Sequence, residues 1–132
     1  MDSFKKVAQM EKVLGFGGFF FRAEDTAGLA EWYCRHLGID LVPKDYDTPC
    51  WQQEAGETVF APFDKVTEYF GNKEKQFMLN FRVRDLEAMI TQLEAAGIEV
   101  RRDPDSPYPN GSFAWLNDPE GNPIELWEPV AR

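Results

Sequence analysis

Two βαβββ half-domains joined in a single α+β domain are what this 132-residue sequence predicts. Three observations carry the prediction. An internal repeat comes first: FFRAEDTAGLAEWYCRHLGIDL (20–41) and NFRVRDLEAMITQLEAAGIEV (80–100) share one plan. Phe21, Arg22 and Asp25 are matched by Phe81, Arg82 and Asp85 at a constant offset of sixty. Next, each copy switches from strand-like alternation to helical spacing at its Asp, and short strand-like pieces follow each helix. Finally, 43% hydrophobic and 14% aromatic residues suffice for a real core in a chain of one-domain length.

Taken in order, Asp25 and Asp85 are each placed to cap the helix that follows a strand. The first helix carries Leu29, Tyr33 and Leu37 at helical period and ends at Leu37-Gly38-Ile39. The second carries Leu86, Met89, Ile90 and Leu93, with Gly97 set to end it. Strands are expected at 40–42, 51–54 and 58–63 in the first half, and at 99–101, 112–117 and 123–128 in the second. Module one then runs over about 13–63 and module two over about 76–129, within a single domain spanning 1–132. Residues 64–75 between them read as a linker with one helical turn. The proline-rich DPDSPYPNG (103–111) is a loop. Asp118-Pro119-Glu120-Gly121 has the residue order of a type I turn.

Strand alternation sorts the side chains into two rows. Gly17, Phe19, Phe21 and Ala23 oppose Gly18, Phe20 and Arg22; Phe77, Leu79, Phe81 and Val83 oppose Met78, Asn80 and Arg82. The uniformly apolar rows are expected under the helices and the mixed rows toward a shared cleft. By the same rule Ile124 and Leu126 face the helices, while Glu125 and Trp127 face the cleft.

A balance of 23 acidic against 14 basic residues, net charge −9, repels phosphate backbones and anionic lipid. Nucleic acid and membrane are therefore not expected partners. The opening MDSFKKVAQMEKV lacks the apolar core of a signal peptide, and no apolar run reaches membrane-spanning length, so the expected location is cytoplasmic. Cys34 and Cys50 are too few for a disulfide framework or a structural zinc cluster; free thiols are the expectation, one bridge the alternative. His36, two residues from Cys34 on one helix, does not face it, which argues against a Cys–His dyad.

The repeat, together with MLNFRVRDLEAM (78–89) and above all NDPEGNPIELWEP (117–129), resembles the vicinal oxygen chelate superfamily, the glyoxalase/bleomycin-resistance fold. The resemblance implies paired βαβββ modules curled around a small-molecule cleft and assembled as a homodimer. Metal-dependent members place His, Gln or Glu at four inward positions, which carry over to Gly18, Phe60, Met78 and Glu125. Of these only Glu125 suits a hard or borderline cation, and a divalent metal wants three or more protein ligands. Neither metal nor cofactor is expected.

Glu125 is the candidate catalytic residue, as general acid or base, or else a hydrogen-bond acceptor for ligand; an idle inherited acid is the plain alternative. Arg22 and Arg82 are expected to make an ion pair with Glu125 or a backbone contact sooner than to bind an anion. Phe20, Trp51, Phe60, Trp115 and Trp127 are expected to line an aromatic pocket, with Met78 a flexible wall and Asn80 a polar group that orients ligand. Tyr108 and Asn110 sit in the proline-rich loop, more ordinary loop than lid. Three functions stand in order: a metal-free binder of a small, partly apolar or aromatic molecule; a metal-independent enzyme, of lyase or isomerase type, using Glu125; and a metal-dependent glyoxalase- or dioxygenase-like enzyme.

Overall fold

The computed structural model describes residues 10–131. Among these residues two helices and four strands follow one another as α1 (Thr26–Leu37), β1 (Leu79–Arg82), α2 (Leu86–Ala95), β2 (Arg101–Arg102), β3 (Gly111–Asn117) and β4 (Pro123–Pro129). The last five form one βαβββ module. Its sheet runs β1-β4-β3-β2, with β1 parallel to β4 and the other pairs antiparallel.

Both helices start and stop as their sequences dictate. The Asp25 and Asp85 carboxylates accept from Gly28 N at 2.9 Å and Ala88 N at 3.0 Å. Each satisfies an amide that the first helical turn leaves unpaired. Gly38 ends α1 in the left-handed region at φ 73°, and Gly97 occupies the same region at φ 81° just beyond α2. That conformation costs a side chain and leaves glycine unstrained.

Ile124 and Leu126 on β4, with Ala114 and Leu116 on β3, are fully buried beneath Ile90 and Leu93 of α2, and Leu29 and Tyr33 of α1 join the same cluster. Each buried aliphatic side chain contributes roughly 1.5–3 kcal/mol of transfer free energy. Leu79, Phe81 and Val83, with Phe21 and Ala23, pack against it, so the apolar rows do lie on the helix side.

The type I turn joining β3 to β4 is also a clamp. Gly121 N donates to Asp118 O at 2.9 Å. Buried Asp118 accepts from Glu120 N, Asn122 N, Asn122 Nδ2 and, at 2.6 Å, the hydroxyl of Tyr33 on α1. Glu120 accepts from Glu24 N at 2.8 Å and Asp25 N at 3.0 Å at the start of α1. At the other end of the motif, Glu128 accepts from Leu86 N at 2.7 Å at the start of α2. The closing motif therefore holds both helix N-termini by carboxylates, the sign that the helix dipole favours there.

The first half departs from expectation. It supplies α1, but among the described residues no ladder forms at 40–42, 51–54, 58–63 or in the stretch before Asp25. A strand exists only against a partner backbone, and among the described residues none pairs with these segments. Segment 64–75, read as a linker with one helical turn, carries turns and no helix. It folds through three turns, closed by Thr67 N to Asp64 O, Gly71 N to Glu68 O and Lys75 N to Asn72 O.

Candidate functional site

The sheet has one face under the helices and one open. Register fixes the open face: Asn80 pairs with Glu125 and Arg82 with Trp127 across β1–β4, and Trp115 with Glu125 and Phe113 with Trp127 across β4–β3. Directly opposed residues point to the same side of a sheet. A groove of about 1490 Å³ runs over this face and around the outer edge of β1, where Leu37, Phe81, Val83 and Met89 also line it; its floor on the open face includes Asn80, Arg82, Phe113, Glu125 and Trp127. Residues 51–55, 57–59 and 61–63 of the first half, with much of the segment 64–70 that follows it, provide its far wall, Trp51 and Phe63 included.

Glu125 lies on a central strand and is 6% exposed. Its Oε1 accepts from Asn80 Nδ2 at 2.7 Å, and its Oε2 accepts from Trp115 Nε1 at 2.8 Å and from the Tyr69 hydroxyl. Three neutral donors converge on one acceptor group, so burial leaves no oxygen unpaired. Tyr69 is itself held between rings, stacked on Phe63 at 5.6 Å and edge-on to Trp115 at 6.1 Å. Burial, then the Glu125 carboxylate that accepts its proton, push the Tyr69 phenol above the usual tyrosine range.

Trp127, also 6% exposed, donates Nε1 to Asn110 O at 2.8 Å and stacks on Phe113 with ring planes 3° apart. Gly111 makes this possible. Its φ is 131°, and a Cβ there would meet Glu128 O at 2.2 Å and Trp127 Nε1 at 2.8 Å. Arg82 turns away from Glu125 and donates Nη2 to Glu54 O at 2.8 Å, the backbone contact and not the ion pair. It thereby ties the far wall to the sheet.

Of the residues singled out from sequence, Asn80, Arg82, Glu125 and Trp127 meet on the groove floor, with Met78 and Trp51 also lining it and Trp115 reaching Glu125 from β3. Phe20 and Phe60 do not join them. They are 94% and 79% exposed and outside the groove lining. Arg22 is exposed and likewise stands apart from Glu125. The cause for Phe20 and Arg22 is shared: alternation turns Phe21 and Ala23 to the core cluster, and with no first-half ladder the opposite row faces solvent instead of a cleft. Tyr108 closes its own loop, donating to Asp103 at 2.9 Å, while Asn110 contributes its carbonyl to Trp127. Tyr69 is the residue that sequence reading missed. Its one signal is the pair Tyr69-Phe70, the only aromatic residues of the segment 64–75.

The donor set does not fit a divalent metal. Both Glu125 oxygens are engaged by neutral donors, and no group of three His, Cys, Asp or Glu side chains that could hold a metal occurs among the described residues. Phe60 lies away from Glu125, and Met78 offers only a soft thioether. Cys34 and Cys50 are free thiols.

A βαβββ sheet with a single acid at the centre of its open face defines an α+β protein of the glyoxalase/bleomycin-resistance kind. The glyoxalase-like domain family matches residues 18–127, most of the chain, and the protein belongs to that family. Two solved structures agree on the fold. A protein described as a glyoxalase family member from Bacillus anthracis superposes with a TM-score of 0.51 at 23% identity, covering 78% of this chain and 84% of that one. A member of the glyoxalase/bleomycin resistance protein/dioxygenase superfamily from Sphaerobacter thermophilus DSM 20745 gives 0.51 at 18% identity, over 80% and 90%. TnmS3, an antibiotic binding protein from Streptomyces sp. CB03234, gives 0.48 at 23% identity, over 80% and 88%. No curated protein matches the chain.

Proposed function

We propose that the protein binds a small, partly apolar or aromatic molecule in the groove over the open sheet face, without metal or cofactor. The groove floor carries this reading. A buried carboxylate stands among neutral donors beside the stacked Trp127–Phe113 pair, which is apolar area with one polar anchor, the composition of a small-molecule site. A catalytic role for Glu125 is less well supported, because a general base must reach the substrate's proton and the Tyr69 hydroxyl stands at Oε2 in its place, so a substrate would first have to displace it. Saturable quenching of tryptophan fluorescence by bicyclic aromatic compounds, recovered unchanged after incubation, supports a binder. Turnover that disappears in Glu125→Gln supports the enzyme instead.

The proposed assembly is a homodimer. Phe20, Val42, Val59 and Phe60 are exposed in the single chain, and among the described residues no strand lies beside the outer edge of β1. A second copy would cover both. Sedimentation should give twice the chain mass at micromolar concentration; a monomer contradicts this. Two free thiols support a reducing compartment, the cytoplasm. No helix among the described residues is long and apolar enough to cross a membrane.

A further inference from the structure

Tyr69 occupies the position in which a ligand would be looked for. Its phenol is stacked on Phe63, set edge-on to Trp115, and bonded through its hydroxyl to Glu125, yet the residue is 47% exposed. The segment carrying it is lightly held. The backbone hydrogen bonds recorded within 64–75 are local turn closures. Two side-chain bonds tie it to the sheet module: Tyr69 to Glu125, and Lys75 Nζ to Glu120 O at 3.2 Å. Tyr69, Phe70 and Met78 also form a partition. They line the main groove on one side and, on the other, a recess of about 320 Å³ bounded by Trp115, Leu116 and Arg101. Displacing the Tyr69 ring would join the recess to the groove beside Glu125.

The geometry points to Tyr69 as a built-in competitor for Glu125, and to aromatic molecules bearing a ring hydroxyl as the ligands that take its place. This rests on the groove reading above and narrows its ligand class. The protein's own phenol shows that an aryl hydroxyl fits here, with a flat ring between Phe63 and Trp115 and the O–H donated to the carboxylate. An aryl hydroxyl from solution exchanges for that of Tyr69 and forms the same bond. An aryl ether has no proton to donate, so it binds on ring contacts alone and leaves Tyr69 where it is. In the native protein the hydroxyl therefore gains little, since one phenol replaces another. Removing the Tyr69 hydroxyl frees the acceptor and exposes the full preference.

Calorimetric titration of the wild type and Tyr69→Phe with 2-naphthol and its methyl ether, 2-methoxynaphthalene, tests this. In Tyr69→Phe the naphthol should bind about tenfold more tightly than to wild type, the worth of a hydrogen bond to a charged group, while the ether changes by less than about twofold. In wild type, NMR of ring-labelled tyrosine should show the Tyr69 signal moving with naphthol and not with the ether, a readout that does not need the variant to fold. Equal gains for both probes, weaker binding of both, an unchanged naphthol affinity, or a Tyr69 signal unmoved at naphthol saturation would overturn the competitor role while leaving the groove reading intact. Binding of neither probe to either protein would overturn both.

Discussion

Glu125 shows how far one residue can be read from its neighbours. Alternation in Ile124-Glu125-Leu126-Trp127 assigned its face, because a strand's period of two leaves no third choice, and the sheet has Glu125 and Trp127 on the open side. Its partners were half legible. Asn80 and Trp115 stand on strands and follow from register, whereas Tyr69 stands in a turn segment where no period aims a side chain. Replacing Glu125 by Gln should cost stability as well as ligand. With its oxygen kept toward Trp115 Nε1 and the Tyr69 hydroxyl, the amide's NH2 faces Asn80, which must turn its own amide to accept, and bonds to a charged acceptor become bonds to a neutral one. Urea denaturation should register a loss of about 2 kcal/mol; a variant as stable as wild type would contradict the network. The tyrosines give a pH test. Tyr33 is raised above the ordinary range by burial and then by Asp118, and Tyr69 by burial and then by Glu125. A raised folded-state pKa means that the folded chain holds the proton more tightly. This stabilisation is complete below the unfolded tyrosine value of about 10 and is lost as pH rises through the folded values. Absorbance of phenolate should accordingly lag the model-compound curve until the chain unfolds. Ionisation of all four tyrosines near pH 10 in the folded protein would contradict both hydrogen bonds.

Elements were legible where local rules decide them and obscure where a partner does. Asp25 and Asp85 announce two helices because a cap acts within three residues, and the leucine spacing names the buried faces. The second-half strands are announced by a turn that brings β3 and β4 together. The pieces at 40–42, 51–54 and 58–63 have strand-like composition but no backbone beside them, and composition alone makes no ladder. What the sequence conceals is the clamp. Glu120 and Glu128 look like surface acids of a turn and a strand end, yet they hold the amides that open α1 and α2. Glu120→Ala and Glu128→Ala should each lower stability by about 1–2 kcal/mol, since each leaves helix-end amides to solvent and removes a favourable charge. The double variant should lose close to the sum, because the two acids serve different helices. Denaturation curves indistinguishable from wild type would show that the clamp is idle.

At the scale of the molecule, the closing motif does two things at once: its acids fix the helices on one face of the sheet, and its alternate residues Glu125 and Trp127 build the groove on the other. Fold and groove floor therefore share a segment, almost all of it inside the 18–127 match to the glyoxalase-like domain family. The four tryptophans divide by position in a way that tests the groove directly. Trp115 donates to Glu125, Trp127 forms the floor, and Trp51 lies on the wall, while Trp32 packs on α1 against Tyr33 and His36. Indole N–H resonances observed while a bicyclic aromatic compound is titrated in should shift saturably for Trp115 and Trp127, with one common dissociation constant, and stay fixed for Trp32. Shifts at Trp32 with Trp115 and Trp127 unmoved would place the ligand elsewhere and contradict the account.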